Sequence, residues 1–199
     1  MAKKDLQRRA IWQDRSGPKA AIAEKNFYSV FQEAFKNTSF RVRSHPNEFQ
    51  NIYTNVVLKP SVAMEIYNPP QKITRHGITP DYAIDNTATA KTLYIEVKRQ
   101  DGWVEGGKRS DGRGNAHERL CKYFTPGLLE VLRQKGKLGN NIFPFWIVFL
   151  GDITRDPCRV REITLWFKGC ENHIFFWRNP ADATPLLNHF KNRLKKHLL

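Results

Sequence analysis

The chain is poor in cysteine. Cys121, Cys158 and Cys170 are odd in number and show no C-x-x-C spacing, which argues against a disulfide framework or a zinc cluster and fits a reducing cytosol. Long apolar runs are also missing: no stretch approaches the roughly eighteen uninterrupted apolar residues of a membrane span. Arg8-Arg9 leads into Ala10-Ile11-Trp12-Gln13-Asp14, not into the apolar region of an export signal. A soluble, unexported protein is expected, without internal repeats or low-complexity tracts. Acidic residues are scarce, with 19 Asp+Glu against 33 Lys+Arg and a formal charge of +14. Such an excess attracts a polyanion, so nucleic acid leads as partner, and a basic ribosomal or membrane-surface protein is the alternative. At 199 residues and 40% hydrophobic, the chain suffices for one core and is short for two, so a single domain over 1–199 is expected.

Ala23, Phe27, Val30, Phe31, Ala34 and Phe35 recur at helical spacing after Ser16-Gly17-Pro18, which predicts an amphipathic helix. Between 44 and 75 only helix and loop are expected, with a break at Asn68-Pro69-Pro70. From Thr79 the period becomes two. Pro80 to Ile84 and Thr92 to Lys98 read as strands joined by a turn at Asp85-Asn86-Thr87, with Leu93, Ile95 and Val97 on one face and Tyr94, Glu96 and Lys98 on the other. A glycine-rich loop spans Asp101 to Gly114, and helical pattern then runs from Asn115 to about Gln134 with a kink or restart at Thr125-Pro126-Gly127. Phe143 to Leu150 is almost wholly apolar, as in a strand buried on both faces. Ile163–Phe167 and Ile174–Trp177 read as further strands, and a last helix carries Leu186, Leu187, Phe190, Leu194 and Leu198 on one side. The fold class is therefore α/β, a central mixed sheet flanked by helices.

The pattern that carries chemistry is Pro80-Asp81 followed fifteen residues later by Glu96-Val97-Lys98. It puts two carboxylates and an ammonium on adjacent strands. Paired carboxylates make a hard oxygen site for Mg²⁺, which favours a few protein carboxylates plus waters and phosphate. The metal would polarise a scissile phosphate, and Lys98 would orient or deprotonate the attacking water. Phosphodiester hydrolysis uses all three roles. The bland reading is a surface strand with a Glu96/Lys98 ion pair, worth little to stability. Asp85 is a second possible ligand, ranked below Asp81 because Asp at a turn usually serves its own backbone.

A second constellation, Arg113-Gly114-Asn115-Ala116-His117-Glu118-Arg119, suits base reading in a major groove. Arg pairs with guanine O6/N7 and Asn with adenine N6/N7, and glycines at 112 and 114 let backbone approach base edges. Asn115 with Glu118 also forms a possible capping box. Glu118 would brace Arg119, and His117 suits an orienting or phosphate-facing role better than metal ligation. Arg155, Arg159 and Arg161, interleaved with Asp152, Asp156 and Glu162, read as a local salt network or a phosphate clamp. Lys191, Arg193, Lys195 and Lys196 read as the solvated face of the last helix.

Gly112 to Arg119, together with Pro80-Asp81, Glu96 to Gly106 and Gly151 to Pro157, resembles the MunI-like type II restriction endonucleases, on the EcoRI branch of the PD-(D/E)XK nucleases. The resemblance implies the restriction-endonuclease fold, a homodimer, a bacterial cytoplasmic setting and Mg²⁺-dependent cleavage of double-stranded DNA. The implied target is CAATTG, cut after the first C to leave AATT 5′ overhangs. It implies catalytic and metal-binding roles for Asp81 and Glu96 and a catalytic role for Lys98. Asn115, Ala116 and Arg119 would read the central AATT and Arg113 the outer C·G pair, with Gly114, His117 and Glu118 in support. For the dimer surface the helix after Asn115 is the candidate, through Leu120, Phe124, Leu128, Leu129 and Leu132. A structure-specific nuclease and a DNA-binding module without activity are the competing readings.

Overall fold

The computed structural model describes residues 26–54, 56–57, 59–65, 74–99 and 116–199. The expected glycine-rich loop, and with it Arg113, Gly114 and Asn115, lies outside the described residues. Helix α1 covers 26–34, and its apolar spacing places Phe27 and Phe31 wholly inside. Strand β1 is Phe40–Ser44, α2 is Pro60–Glu65, β2 is Tyr82–Asn86 and β3 is Lys91–Arg99. Helix α3 (Ala116–Leu120) runs into a 3₁₀ turn at Cys121–Phe124 and is followed by α4 (Pro126–Gly136). Strand β4 is Phe145–Leu150, α5 is Pro157–Trp166 and β5 is Ile174–Trp177. The chain closes with α6 (Thr184–His189), which continues through a π turn and a 3₁₀ turn to Leu198.

The five strands form one sheet in sequence order. Strands β1, β2 and β3 are antiparallel neighbours, and β3, β4 and β5 are parallel. The sheet is mixed, as expected. On one face Ile84, Leu93, Ile95, Trp146 and Val148 meet α1 and α6 through Phe27, Phe31, Phe190 and Leu194. On the other, Tyr94, Phe145, Ile147 and Phe149 meet Leu120, Tyr123, Leu132, Ile163 and Phe167. Every residue of β4 is buried, which explains its uninterrupted apolar run. Helix α4 comes so near β3 that a Cβ on Gly136 would lie 2.5 Å from the Thr92 carbonyl oxygen; only glycine fits there. No helix among the described residues is long and apolar enough to cross a membrane.

Three expectations need correction. Ile163 to Phe167 is not a strand but the end of α5. The Asp156 carboxylate caps that helix by accepting from the amides of Cys158 and Arg159 at 3.1 and 3.3 Å, and Pro157 fills the first turn. Cap and tertiary packing together override the β-branched and aromatic composition. Asp85 and Asn86 do not turn; they complete β2, and the reversal occupies 87–90. Strand β1 lies in a stretch for which no strand was expected. Finally, Leu120, Leu128 and Leu132 are buried within this chain, with Phe124 and Leu129 partly buried against them, so most of the apolar surface offered for a partner serves the chain's own core.

Candidate active site

Antiparallel pairing of β2 with β3 ends at Tyr82 opposite Ile95. One step further, Asp81 stands opposite Glu96, on the sheet face that carries Ala83 and Tyr94. Position 81 is held from both sides. Its carbonyl accepts from the His45 amide at 2.9 Å, and its carboxylate accepts from the Val97 amide at 2.8 Å. Two residues on from Glu96, Lys98 returns to the same face. Its Nζ lies 3.0 Å from Asp81 Oδ2 and 2.9 Å from Glu96 Oε1. The two carboxylate oxygens are therefore separated by no more than the sum of those distances.

The sites differ in solvent access. The Lys98 side chain is 28% exposed and that of Glu96 only 9%. Tyr123, buried in the 3₁₀ turn after α3, donates its hydroxyl to Glu96 Oε2 at 3.0 Å. Burial, reinforced by neighbouring Asp81, raises the Glu96 carboxyl above the usual carboxylate range, against the pull of Lys98 and the Tyr123 hydroxyl. For Lys98 burial acts against the charge, but Glu96 and Asp81 outweigh it and raise the ammonium. Burial, with Glu96 beside it, likewise raises the Tyr123 hydroxyl and keeps it a donor.

Two carboxylates against one ammonium leave negative charge in excess. The ammonium nitrogen occupies the point where both carboxylates converge, so it stands in for a cation between them. Among the described residues no three or more His, Cys, Asp or Glu gather into a metal cage. A pair of hard oxygen donors open to water on one side fits Mg²⁺, which holds several waters and needs only one or two protein carboxylates.

Asp85, the second ligand candidate, has other partners. Arg43 binds it through Nε at 2.6 Å and Nη2 at 3.0 Å, Arg41 through Nε at 2.9 Å, and the Thr92 hydroxyl donates at 2.7 Å. Burial alone would raise its carboxyl, yet these donors hold it below the usual range. Its charge is neutralised and its lone pairs are in use, so Asp85 is no ligand. The arginines come from β1, the strand that was not foreseen.

Of the expected recognition residues, Ala116 begins α3 and is half-buried, and Glu118 and Arg119 are exposed. His117 is wholly buried. Its Nε2 lies 2.9 Å from Glu162 Oε2, and its ring stacks on Trp166 at 5.1 Å. It faces α5, and its place suits orientation of α3. Glu162 also takes Arg159 at 2.5 Å, which, with His117, keeps its carboxyl low. The expected salt network is thus partly present, except that Asp156 serves as a helix cap. Tyr123 was missed: in sequence it reads as one more apolar position beside Leu120 and Phe124, and nothing local reveals what its hydroxyl meets.

Comparison with known proteins places this arrangement. Residues 1–199 match the family described as type II restriction enzyme MunI. The chain is 49% identical over 201 residues to the type II restriction enzyme MunI of Mycoplasma sp., covering all of both sequences. It is also similar to a crystal structure of MunI restriction endonuclease in complex with cognate DNA, with a TM-score of 0.78 and 49% identity over 94% of this chain and 97% of that one. On a match spanning its whole length, the chain belongs to the MunI family of type II restriction enzymes and is a restriction endonuclease.

Proposed function

We propose that the enzyme is a Mg²⁺-dependent homodimer that cuts both strands of duplex DNA at CAATTG, after the first C, leaving AATT 5′ overhangs. The observation that carries the chemistry is the convergence of Asp81, Glu96 and Lys98 within 3.0 Å contacts at the end of two paired strands. The formal charge of +14 supplies the long-range attraction for a polyanionic duplex.

Asp81 and Glu96 would hold the metal. Bound there, magnesium supplies Lewis-acid stabilisation of the charge that builds on the scissile phosphate. Lys98, on the same strand face, would orient the attacking water and offset phosphate charge. Asp81 is fixed by the Val97 amide and Glu96 by the Tyr123 hydroxyl, so both carboxylates meet the substrate in set orientations. Arg113, Asn115, Ala116 and Arg119 read base edges, supported by Gly114, His117 and Glu118. Of these, Ala116 and Arg119 lie on α3, whose buried residues His117 and Leu120 anchor it to the core.

A palindromic site pairs with a twofold dimer, in which each subunit reads one half-site and cuts one strand. Leu165 and Trp166 are large exposed apolar residues at the end of α5, and Trp166 stacks on His117 of α3.

Digestion of a fully sequenced DNA with Mg²⁺, beside a chelator control, tests the proposal by mapping of the fragment ends. Every end is expected to lie within CAATTG and to carry an AATT overhang, with no cutting in chelator. Ends without a common palindrome would remove the restriction reading. Cutting of branched or mismatched DNA regardless of sequence would replace it with a structure-specific nuclease.

A further inference from the structure

The 3₁₀ turn Cys121–Phe124 follows α3 without a break, so Tyr123 lies four residues beyond Arg119 on one continuous stretch of helical backbone. At one end of that stretch Ala116 and Arg119 stand where the proposed base readers are. At the other, the Tyr123 hydroxyl donates to Glu96 Oε2 at 3.0 Å. The stretch is stiff, because His117 and Leu120 are wholly buried and His117 is tied to Glu162 on α5 at 2.9 Å. The Tyr123 ring itself packs near Phe145 of β4, with centroids 5.7 Å apart. Any displacement of the segment therefore moves the hydroxyl that orients the carboxylate.

We propose that Tyr123 is a positioning residue for Glu96 that transmits the seating of the Ala116–Arg119 segment on DNA to the metal-binding carboxylate. The inference rests on the functional reading above. A carboxylate oxygen accepting one buried hydroxyl has fewer orientations open to it, and partners of this kind behind a metal ligand typically contribute 10–100-fold in affinity or activity. Seated on the right sequence, the segment holds the hydroxyl where Glu96 presents its oxygen to the metal. Seated on a wrong sequence, it takes that support away. The same residue then acts on both rate and discrimination without touching DNA.

Tyr94 provides an internal control. Its ring lies on the same face of β3, two residues before Glu96, and its buried hydroxyl has no hydrogen-bond partner among the described residues. Tyr123→Phe and Tyr94→Phe each remove one buried hydroxyl and leave the ring. Three quantities are measured for both variants and the wild type: Ca²⁺ affinity by titration calorimetry in complex with a CAATTG duplex, cleavage rates in Mg²⁺ at CAATTG and at a site altered in one base, and thermal midpoint. Tyr123→Phe is expected to bind Ca²⁺ about tenfold or more weakly. It should lose cleavage at CAATTG by a similar factor, and lose less at the altered site. Tyr94→Phe should match the wild type in metal affinity and in the ratio of the two rates.

Wild-type Ca²⁺ affinity in Tyr123→Phe overturns the proposal. So does an equal loss at both sites, which would make the tyrosine a passive prop, and so does the same loss in Tyr94→Phe, which would trace the effect to packing. The wild-type digest run in parallel keeps the two readings apart. If the wild type leaves CAATTG uncut, the functional reading fails, and Tyr123 is then judged at the site the wild type does cut.

Discussion

Acidification should destabilise this protein through a histidine remote from the carboxylates. His173 lies just before β5, 5% exposed, with Nδ1 2.8 Å from the Phe145 carbonyl oxygen and its ring stacked on His197 at 5.4 Å. Burial, helped by His197, His189 and Lys196 and opposed by the Phe145 carbonyl, lowers its pKa to about 4. In the unfolded chain the group titrates near 6.5. Between those values the native state binds fewer protons than the unfolded state, so stability rises with pH across this window and falls as pH drops from 6.5 toward 4. At pH 5 the imidazole of the unfolded chain is almost fully protonated and the native one almost neutral, which costs about 2 kcal/mol, rising to about 3 kcal/mol below pH 4. His189, whose pKa burial also lowers to about 4, adds to the total, so the wild type alone does not isolate the effect. The decisive comparison is with His173→Asn, which keeps an N–H near the position of Nδ1 and removes the titration. Urea unfolding at pH 7.5 and pH 5, at one fixed protein concentration, should show the wild type losing about 2 kcal/mol more than the variant over that interval. Equal losses would refute the assignment, whatever the variant's stability at pH 7.5.

Three other outcomes follow from the geometry. Asp81→Ala is expected to lower the cleavage rate by about a thousandfold or more, the loss of several kcal/mol of charge stabilisation, with duplex binding retained in a gel-shift assay; strand scission at the wild-type rate would remove Asp81 from the site. Asp85→Ala leaves Arg43 with Glu48 as its remaining carboxylate at 2.7 Å and the Thr92 hydroxyl without its acceptor, and should cost about 2 kcal/mol in chemical denaturation, whereas a cost within that of an exposed ion pair would show the network to be solvated. Asp156→Ala deletes the cap of α5 and should cost about 1 kcal/mol, detected as a lower thermal midpoint; no change would mean that packing of Ile163 and Phe167 alone holds the helix start.

Much of the frame was readable from residue pattern because the signals were local. Alternation in Thr92 to Lys98 fixed which residues shared a face, and β3 keeps that division, with Leu93, Ile95 and Val97 on the side of α1 and α6 and Tyr94 on the side of α3 to α5. The apolar run ending at Leu150 became a strand buried on both faces. Patterns failed where long-range contacts outvoted composition. Ile163 to Phe167 has strand-forming residues, yet a cap seven residues upstream and a one-sided core made it helical. Asp85 beside Asn86 reads as a turn, but two guanidiniums from β1, more than forty residues away in sequence, stabilise it inside the sheet.

The sequence by itself determined the kinds of groups and their rough order: two acids and a lysine at strand spacing, a basic surface, and helices alternating with strands. Those depend on covalent spacing and on the periods of helix and strand, which act over a few residues. The tertiary structure decided the rest, namely which acid is free and which is neutralised, that Lys98 sits between both carboxylates, and that Tyr123 reaches Glu96 from a helix on another layer. These depend on through-space distances between segments remote in the chain, and the desolvation that sets the pKa of Glu96 arises only once all of those segments have packed.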